Sequence, residues 1–244
     1  MQSGMYVSLS AQRALDKRLT TIADNMANVN TVGFRATEVK FDDVVARTGN
    51  DMNAKVAFVS QGNDYLDTQT GELEKSGNPL DFAVKGDAWM ALETPAGQIL
   101  TRDGRFSLTA TGQLVSVRGY PVLDAGGAQI QLNPNGGEPN VSRNGVIFQD
   151  GVQVGQLGLF TADVTKGYLR YDNSGVKPTE APQPVVDNST IGVMQGYVEQ
   201  SNVNGISQMT QLIQVSRAFE SISNSMSQLE SSMNEALKTL GGSK

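Results

Sequence analysis

Apolar residues near the end of the chain recur at alternating steps of three and four positions. From position 212 onward they are Leu212, Val215, Phe219, Ile222, Met226, Leu229 and Met233. This is the a/d spacing of a coiled coil, and neither proline nor glycine occurs between Ile206 and Leu240. The pattern predicts one long helix within residues 205–244, about 50 Å in length at 1.5 Å per residue. Its other positions are mostly small and polar, so we expect it to need a partner surface, although a helix of an ordinary bundle would show the same spacing.

A second stretch with this spacing lies within residues 1–34. It consists of Leu15, Leu19, Ile22 and Met26. The residues from Asn28 to Gly33 are of types that commonly end helices. We expect the two terminal helices to pair with each other, with the apolar residues of both stretches forming the packing surface.

Short apolar segments separated by turn residues fill the middle of the chain. Turn pairs recur there every seven or eight residues, at Asp103-Gly104, Thr111-Gly112, Arg118-Gly119 and Gly126-Gly127. Alternating pairs, such as Val152 and Val154, are typical of strands. We therefore predict an antiparallel β domain at 78–184, entered through an extended connector at 35–77 and left through a return connector at 185–204. The fold class is α+β, with paired N- and C-terminal coiled-coil-like helices flanking an inserted antiparallel all-β domain.

The composition argues against several classes of function. The 244 residues include no cysteine and no histidine, which removes disulfides, Cys/His zinc sites and histidine catalysis. A net charge of −6 and a pI near 4.7 argue against nucleic-acid binding. No apolar run approaches the ~20 residues of a membrane span, and Arg13, Lys17 and Arg18 argue against a cleaved secretory signal near the N-terminus. We expect neither membrane insertion nor a cleaved signal peptide.

No stretch of the chain matches a catalytic, cofactor-binding or metal-binding motif. The glycine-rich stretches fit neither a phosphate loop nor a dinucleotide-binding loop, and turn glycines explain them. Asp42, Asp43 and Asp103 have no recognisable catalytic companion. We therefore expect no catalytic residues, no cofactor, no metal and no enzymatic activity.

Three segments, in order along the chain, carry a more specific signal. They are Asp24 to Arg35 (DNMANVNTVGFR), Thr101 to Phe106 (TRDGRF) with Gly112 to Val115 (GQLV), and Gly196 to Asn204 (GYVEQSNVN) followed by Gln214 to Glu220 (QVSRAFE). Together they resemble the signatures of the bacterial flagellar rod and hook proteins, the axial proteins of the flagellum. Within that family the chain most resembles the F-type proximal rod proteins of the basal body.

The resemblance implies a structural subunit of the proximal rod of the flagellar basal body. Its terminal helices would pack with those of other axial proteins to build the periplasmic drive shaft that transmits torque for motility. The implied partners are proximal and distal rod subunits and the flagellar type III export apparatus, which exports subunits to the periplasmic rod without a cleaved signal peptide. The resemblance also marks the junction residues Asn25, Asn28, Asn30, Gly33, Phe34, Asn202, Asn204, Arg217 and Glu220.

Two alternatives remain open from the sequence. One is a distal rod protein or another paralogue of the rod and hook family. The other is a soluble binding module whose helices form a dimerisation stalk. The junction asparagines could also act only as helix caps, with no role between subunits.

Overall fold

The computed structural model describes residues 2–47, 55–60, 62–185 and 190–241. The chain divides into two compact units. The helical unit comprises the described parts of Met1–Ala27, Thr37–Asp64 and Asn204–Lys244, and the β unit comprises those of Asn28–Ala36 and Tyr65–Val203. Terminal helices flank a central antiparallel β region, which confirms the predicted α+β class. The coiled-coil character of the helices stays a prediction.

The helical unit contains both helices and the first strands of the chain. Its elements are α1 (Gln2–Ala27), β1 (Thr37–Lys40), β2 (Asp43–Arg47), β3 (Lys55–Val59), the beginning of β4 (Asn63–Leu66), and α2 (Gly205–Gly241). Strands β2 and β3 pair antiparallel. The two helices include the two stretches in which apolar residues recur every three and four positions. That spacing places the apolar residues on one side of each helix, where they can be buried together.

The two helices pack against each other in antiparallel orientation. Gln12 Nε2 in α1 donates a hydrogen bond to Ser223 Oγ in α2 (3.4 Å). Toward the C-terminal end of α1, Ile22 lies beside Gln208 and Gln211 near the beginning of α2. With 26 residues α1 is about 39 Å long and with 37 residues α2 is about 56 Å long, so α2 extends past α1.

The β unit is built from short strands. They are β5 (Leu73–Lys75), β6 (Phe82–Lys85), β7 (Trp89–Thr94), β8 (Gly97–Thr101), β9 (Phe106–Leu108), β10 (Leu114–Ser116), β11 (Asn140–Val141), β12 (Val146–Gln149), β13 (Val152–Gln156), β14 (Leu159–Thr161), β15 (Tyr168–Tyr171), β16 (Gly175–Pro178), β17 (Gln183–Pro184), β18 (Gly192–Gln195) and β19 (Tyr197–Glu199), with a 3₁₀ turn at Val164–Lys166.

A six-stranded antiparallel sheet forms the centre of the β unit. Its strand order is β15-β16-β8-β7-β14-β17. Strand β7 is buried on both faces, with Trp89 and Ala91 in one apolar cluster and Met90 and Leu92 in the other. Burial on both faces explains why the sequence of this strand is a continuous apolar run rather than an alternating one.

Two short antiparallel pairs connect the beginning of the β unit with its end. Strand β5 pairs with β19, and β6 pairs with β18. Strand β5 lies in the segment 35–77 that we predicted as a connector, and β18 and β19 lie in the predicted return connector 185–204. The β unit therefore includes residues outside the predicted limits of 78–184, whereas the described residues of 37–64 belong to the helical unit.

The predicted turn glycines have two different structural reasons. Asp150 (φ 53) and Gly151 (φ 80) are both left-handed, as a two-residue turn between β12 and β13 requires. Gly104 is different, because a Cβ atom there would lie 1.7 Å from Phe82 O. A close approach of two backbone segments, and not a hairpin turn, requires glycine at position 104.

Candidate subunit interface and signature junction

The predicted packing residues on α1 and α2 differ in how deeply they are buried within the subunit. Ile22 and Val215 are buried in the subunit. The half-buried members of the set are Leu15, Leu19, Met26, Leu212, Phe219, Ile222, Met226 and Met233. Leu229 is 46% exposed. The paired helices of a single chain therefore leave most of this apolar surface partly open.

Asn25 connects the end of α1 to β1. Its buried amide donates from Nδ2 to Thr37 O (2.8 Å) and accepts at Oδ1 from the Thr37 N–H (3.0 Å). The side chain thus satisfies both backbone polar groups of Thr37, as a paired strand would.

Asn204 is the N-cap of α2. Its Oδ1 accepts a hydrogen bond from the Ser207 N–H (3.0 Å), and its carbonyl oxygen accepts one from the Gln208 N–H (3.0 Å). Arg217 and Glu220 are exposed, and neither forms a hydrogen bond or ion pair with the residues that the structure describes. Both side chains lie on the exposed surface of α2.

In the β unit, Asn202 holds three chain segments together. Its Oδ1 accepts from the Ala36 N–H (2.7 Å), and its Nδ2 donates to Asp67 O (3.2 Å) and Gln69 O (3.0 Å). The segment 28–36 is thereby attached both to the end of the β unit and to the segment that follows β4.

Phe34 is the apolar anchor of the segment 28–36. It is buried in a small cluster with Ala36 and Val203. The guanidinium carbon of Arg170 lies 4.4 Å from the centre of its ring, a cation–π distance, and Arg170 Nη2 donates to Arg35 O (2.7 Å). The ring and the backbone of this segment are therefore held by the same arginine.

The other junction residues shape the backbone of the segment. Gly33 has φ +70°, and a Cβ atom there would lie 2.2 Å from Asp103 N, so no other residue fits without displacement. Asn28 accepts two hydrogen bonds from Thr31, one at its carbonyl oxygen (3.1 Å) and one at Oδ1 (3.1 Å). Asn30 is exposed.

A buried ion-pair cluster lies next to these residues. Glu199 Oε1 is 2.6 Å from Arg35 Nη2, and Glu199 Oε2 is 3.1 Å from Arg102 Nη1, with all three residues 1% exposed. The Gly71 N–H donates to Glu199 Oε1 (3.0 Å). The guanidinium carbons of Arg35 and Arg102 lie 5.8 and 5.3 Å from the centre of the Trp89 ring. We call Arg35, Arg102 and Glu199 the junction cluster.

Backbone carbonyl groups satisfy part of the two guanidinium groups. Arg102 donates to Val84 O (2.9 Å) and Gly86 O (2.6 Å), and Arg35 Nη1 donates to Thr68 O (3.1 Å). The Nε of each arginine has no acceptor within the described residues, and Arg35 Nη2 is close to the carboxylate without the alignment of a hydrogen bond. Two cations share one anion, so the junction cluster carries a net positive charge.

Burial dominates the electrostatics of the junction cluster. Desolvation lowers the pKa of Arg35 to about 10, against the attraction of Glu199. Desolvation also lowers the pKa of Arg102, again against Glu199. Both arginines remain cationic at neutral pH, and the Glu199 carboxylate is their main counterion, with a weaker attraction from Asp87.

Sequence reasoning assigned no individual role to the three members of the junction cluster. A signal was present, because Arg102 follows the apolar residues Ile99 and Leu100, and Glu199 follows Val198. A charged residue inside an apolar segment is unusual unless it is paired when buried. The partners are distant in sequence, so only the folded chain shows which charges meet.

Comparison with known families gives three matches in the same order along the chain. Residues 5–35 match the family described as "Flagella basal body rod protein". Residues 83–149 match the family described as "Flagellar hook protein FlgE/F/G D1 domain", and residues 194–239 match the family described as "Flagellar basal body rod FlgEFG protein C-terminal". A protein of Rhizobium meliloti (strain 1021) named flagellar basal-body rod protein FlgF is 57% identical over 244 residues, covering 100% of both chains. The chain belongs to the FlgF family of flagellar basal-body rod proteins.

Other relatives support the F type within the rod and hook proteins. The FlgF of Mesorhizobium japonicum is 53% identical over 241 residues, covering 99% of each chain. The FlgG of Bacillus subtilis (strain 168) is 30% identical over 249 residues, covering 91% of this chain and 92% of the relative. The higher identity to FlgF proteins agrees with the paralogue that the sequence motifs indicated.

The three family matches meet in the junction cluster of this FlgF-family chain. The first match contains Arg35, the second Arg102 and the third Glu199. Among the described residues, no group of three or more histidine, cysteine, aspartate or glutamate side chains is placed to hold a metal ion. Neither described helix has the length and apolarity needed to cross a membrane.

Proposed function

We propose that the chain is a structural, non-catalytic subunit of the rod in the bacterial flagellar basal body. The observation that carries the proposal is the 57% identity, over the full length of both chains, to a protein named flagellar basal-body rod protein FlgF. The subunit lies in the proximal part of the periplasmic rod, beside other proximal and distal rod subunits, and the rod transmits torque for motility.

The helical unit supplies the contacts with neighbouring subunits. The partly open apolar surface along α1 and α2 supports this role, because half-buried leucine, phenylalanine and methionine side chains gain further burial in a larger array. The flanking residues of α2 are mostly serine, asparagine and glutamine, which allow other helices to approach closely. In the rod, this surface packs against the terminal helices of other axial proteins.

The junction residues give the subunit a defined backbone path between its signature segments. Asn202, Phe34 and the junction cluster fix the segment 28–36 in the β unit, and Asn25 and Asn204 fix the helix ends in the helical unit. The flagellar type III export apparatus carries the chain out of the cell without a cleaved signal peptide. A chain without cysteine forms no disulfide that would hinder such passage.

Substitutions on α2 test the packing role. Phe219→Asp and Ile222→Asp place a charge on the half-buried surface, whereas Ser221→Asp adds the same charge at an exposed position of the same helix turn. Each variant replaces the natural chain in flagellated cells. We expect the first two to abolish swimming and to be missing from isolated basal bodies, and the control to swim normally.

Two measurements complete the test. Trp89 fluorescence of each purified variant shows whether the β unit still folds, and far-UV circular dichroism shows whether the helices do, so that loss of assembly is separated from loss of folding. Electron microscopy of basal bodies that carry a labelled subunit then locates the chain. Normal swimming of Phe219→Asp would contradict the packing role, and absence of the label from the rod would contradict the proposed function itself.

A further inference from the structure

A small cavity lies in the β unit, on the face of β8 that carries Ile99 and Thr101. The turns 116–120 and 171–175 also line it, and it is partly open to solvent. Its volume is about 130 Å³. An engineered cavity of about 150 Å³ takes up one benzene molecule, so this cavity has room for a single six-membered ring whose substituents extend through the open side. We call it the β8 cavity.

The two turns that line the β8 cavity are held in place by the chain itself. In the first turn the Ser116 N–H donates to Tyr120 O (2.8 Å), and the Gly119 N–H donates to Ser116 O (2.8 Å). In the second turn a Cβ atom at Gly175 would lie 2.5 Å from Tyr171 O, so the close approach requires glycine. The rings of Tyr120 and Tyr171 pack edge to face, with 6.0 Å between their centres. The cavity is therefore formed before any ligand binds.

Three hydroxyl groups that line the β8 cavity have no acceptor for their own hydrogen atom among the described residues. Thr101, which is 1% exposed, only accepts at Oγ1, from the Asp103 N–H (3.0 Å). Ser116, which is 9% exposed, only accepts at Oγ, from the Tyr120 N–H (3.2 Å). The Tyr120 hydroxyl accepts from the Tyr171 hydroxyl (3.3 Å). Buried hydroxyl groups are normally satisfied, so these donors are available to a molecule in the cavity.

The charged residues that line the β8 cavity balance each other. They are two arginines and two aspartates. Arg105 forms two hydrogen bonds to Asp103, from Nε to Oδ1 (2.9 Å) and from Nη2 to Oδ2 (2.7 Å). Arg118 and Asp172 are exposed, and neither has a hydrogen-bond or ion-pair partner among the described residues. The lining therefore has no net charge and presents one free cation and one free anion.

This arrangement suits a neutral ligand better than a charged one. An anion would meet the free carboxylate of Asp172 and a cation the free guanidinium of Arg118, and contacts between like charges weaken binding. Both charges act on the same hydroxyl: the hydrogen bond from Tyr171 raises the pKa of Tyr120, Asp172 also raises it, and Arg118 lowers it. A neutral molecule with several hydroxyl groups avoids the repulsion and satisfies donors and acceptors together, because each hydroxyl group both donates and accepts.

We propose that the β8 cavity binds one neutral sugar ring. The hydroxyl groups of Thr101, Ser116 and Tyr120 donate to oxygen atoms of the sugar, and the Asp172 carboxylate accepts from one of its hydroxyl groups. The sugar is either a free monosaccharide or one unit of a glycan chain, whose other units extend through the open side. The cavity lies in the β unit and contains none of the predicted packing residues, so this binding is additional to the proposed role in the rod.

Saturation-transfer NMR on the purified full-length chain tests the binding. The probes are glucose, galactose and N-acetylglucosamine, each measured separately. We expect saturation transfer to at least one of them, with a Kd on the order of 1–10 mM, which is ordinary for a ligand of about twelve to fifteen non-hydrogen atoms. Nuclear Overhauser contacts between the bound sugar and the ring hydrogens of Tyr120 and Tyr171 then locate the sugar in the cavity.

Two substitutions change the chemistry of the site and keep its shape. Tyr120→Phe removes one hydroxyl group and keeps the ring, so we expect the Kd for the neutral sugar to rise about 2–10-fold. Asp172→Asn gives the cavity a net positive charge, so we expect glucuronate, an anionic sugar, to bind about fivefold more tightly than it binds the natural chain. The matched control is Tyr197→Phe, which removes the hydroxyl group of a half-buried tyrosine outside the cavity and should leave the Kd unchanged.

Three outcomes overturn the proposal. Absence of saturation transfer to every sugar shows that the cavity holds water only. An unchanged Kd in Tyr120→Phe, or contacts of the sugar with other tyrosines, places the binding elsewhere. Tighter binding of glucuronate or glucosamine than of the neutral sugars to the natural chain contradicts a neutral ligand. Trp89 fluorescence shows whether each variant is folded, and for a variant that is not, the contacts with Tyr120 and Tyr171 in the natural chain test the site without it.

A longer probe distinguishes the two sources of the sugar. Chitotetraose is four linked N-acetylglucosamine units. Contacts of chitotetraose with Tyr120 and Tyr171 identify a unit of a glycan chain as the ligand, and their absence in a chain that binds the monosaccharide identifies a free sugar. Both results support the β8 cavity as the site.

Discussion

Replacing Glu199 by glutamine removes the carboxylate that two buried guanidinium groups share while nearly keeping the volume of the side chain. The remaining carbonyl oxygen can accept from the Gly71 N–H or from Arg35, but the new amide nitrogen is a donor facing another donor. Removing one partner of a buried ion pair costs about 3–5 kcal/mol, because the charge left behind has no counterion. We expect Glu199→Gln to lower the free energy of unfolding of the β unit by about that amount.

Trp89 reports this unfolding without a label. It is the single tryptophan of the chain, and both arginines of the junction cluster lie over its ring. Urea unfolding followed by Trp89 fluorescence gives the stability of natural and variant chains. The matched control is Glu74→Gln, the same substitution at an exposed residue of the neighbouring strand β5, where we expect a change within about 0.5 kcal/mol.

A second substitution tests whether the unbalanced positive charge is the reason for the loss of stability expected in Glu199→Gln. Arg35→Met leaves one arginine with one glutamate, so the cluster becomes neutral. We therefore expect Arg35→Met to destabilise the β unit less than Glu199→Gln does. The reasoning is refuted if Glu199→Gln costs no more than Glu74→Gln, or if Arg35→Met costs more than Glu199→Gln.

Three further predictions concern the junction and the helices. Gly33→Ala would place a Cβ atom 2.2 Å from Asp103 N at a left-handed φ. We expect urea unfolding to show that the free energy of unfolding falls by about 1–3 kcal/mol or more, and an unchanged value would contradict the fold at this position. Asn202→Ala leaves the buried Ala36 N–H without its acceptor and should cost about 1–3 kcal/mol in the same assay, whereas an unchanged midpoint would show that this hydrogen bond is dispensable. Amide hydrogen exchange of the free subunit should be faster in α2 after Leu229 than before it, because that end of α2 has less buried side-chain surface, and uniform protection along α2 would contradict this.

The helices could be predicted from the sequence because their signal is local. Steps of three and four place apolar residues on one side of a helix whatever the rest of the chain does. The strands of the connectors gave no such signal. Strands β5 and β19 have three residues each, and their partners lie far apart in the chain, so no hairpin turn marks them.

Alternation identified strands but not which of their faces is covered. Val152 and Val154 alternate as predicted, yet they are 64% and 36% exposed, and no residue of the edge strand β13 is buried. The junction cluster is harder to predict from the sequence than the covered faces of the strands. A charged side chain is expected in solvent, and the pairing of Arg35 with Glu199 depends on strands that form only after distant segments have met.

The hydrogen bond between the Ala36 N–H and Asn202 joins residues 166 positions apart in the chain (2.7 Å). Closing so long a loop is entropically costly and slow compared with forming a neighbouring hairpin. The segment 28–36 therefore cannot take its final position in the β unit before the last strand of the chain has formed. Completion of the β unit therefore requires nearly the whole polypeptide, because its first segment is held by a residue close to the beginning of α2.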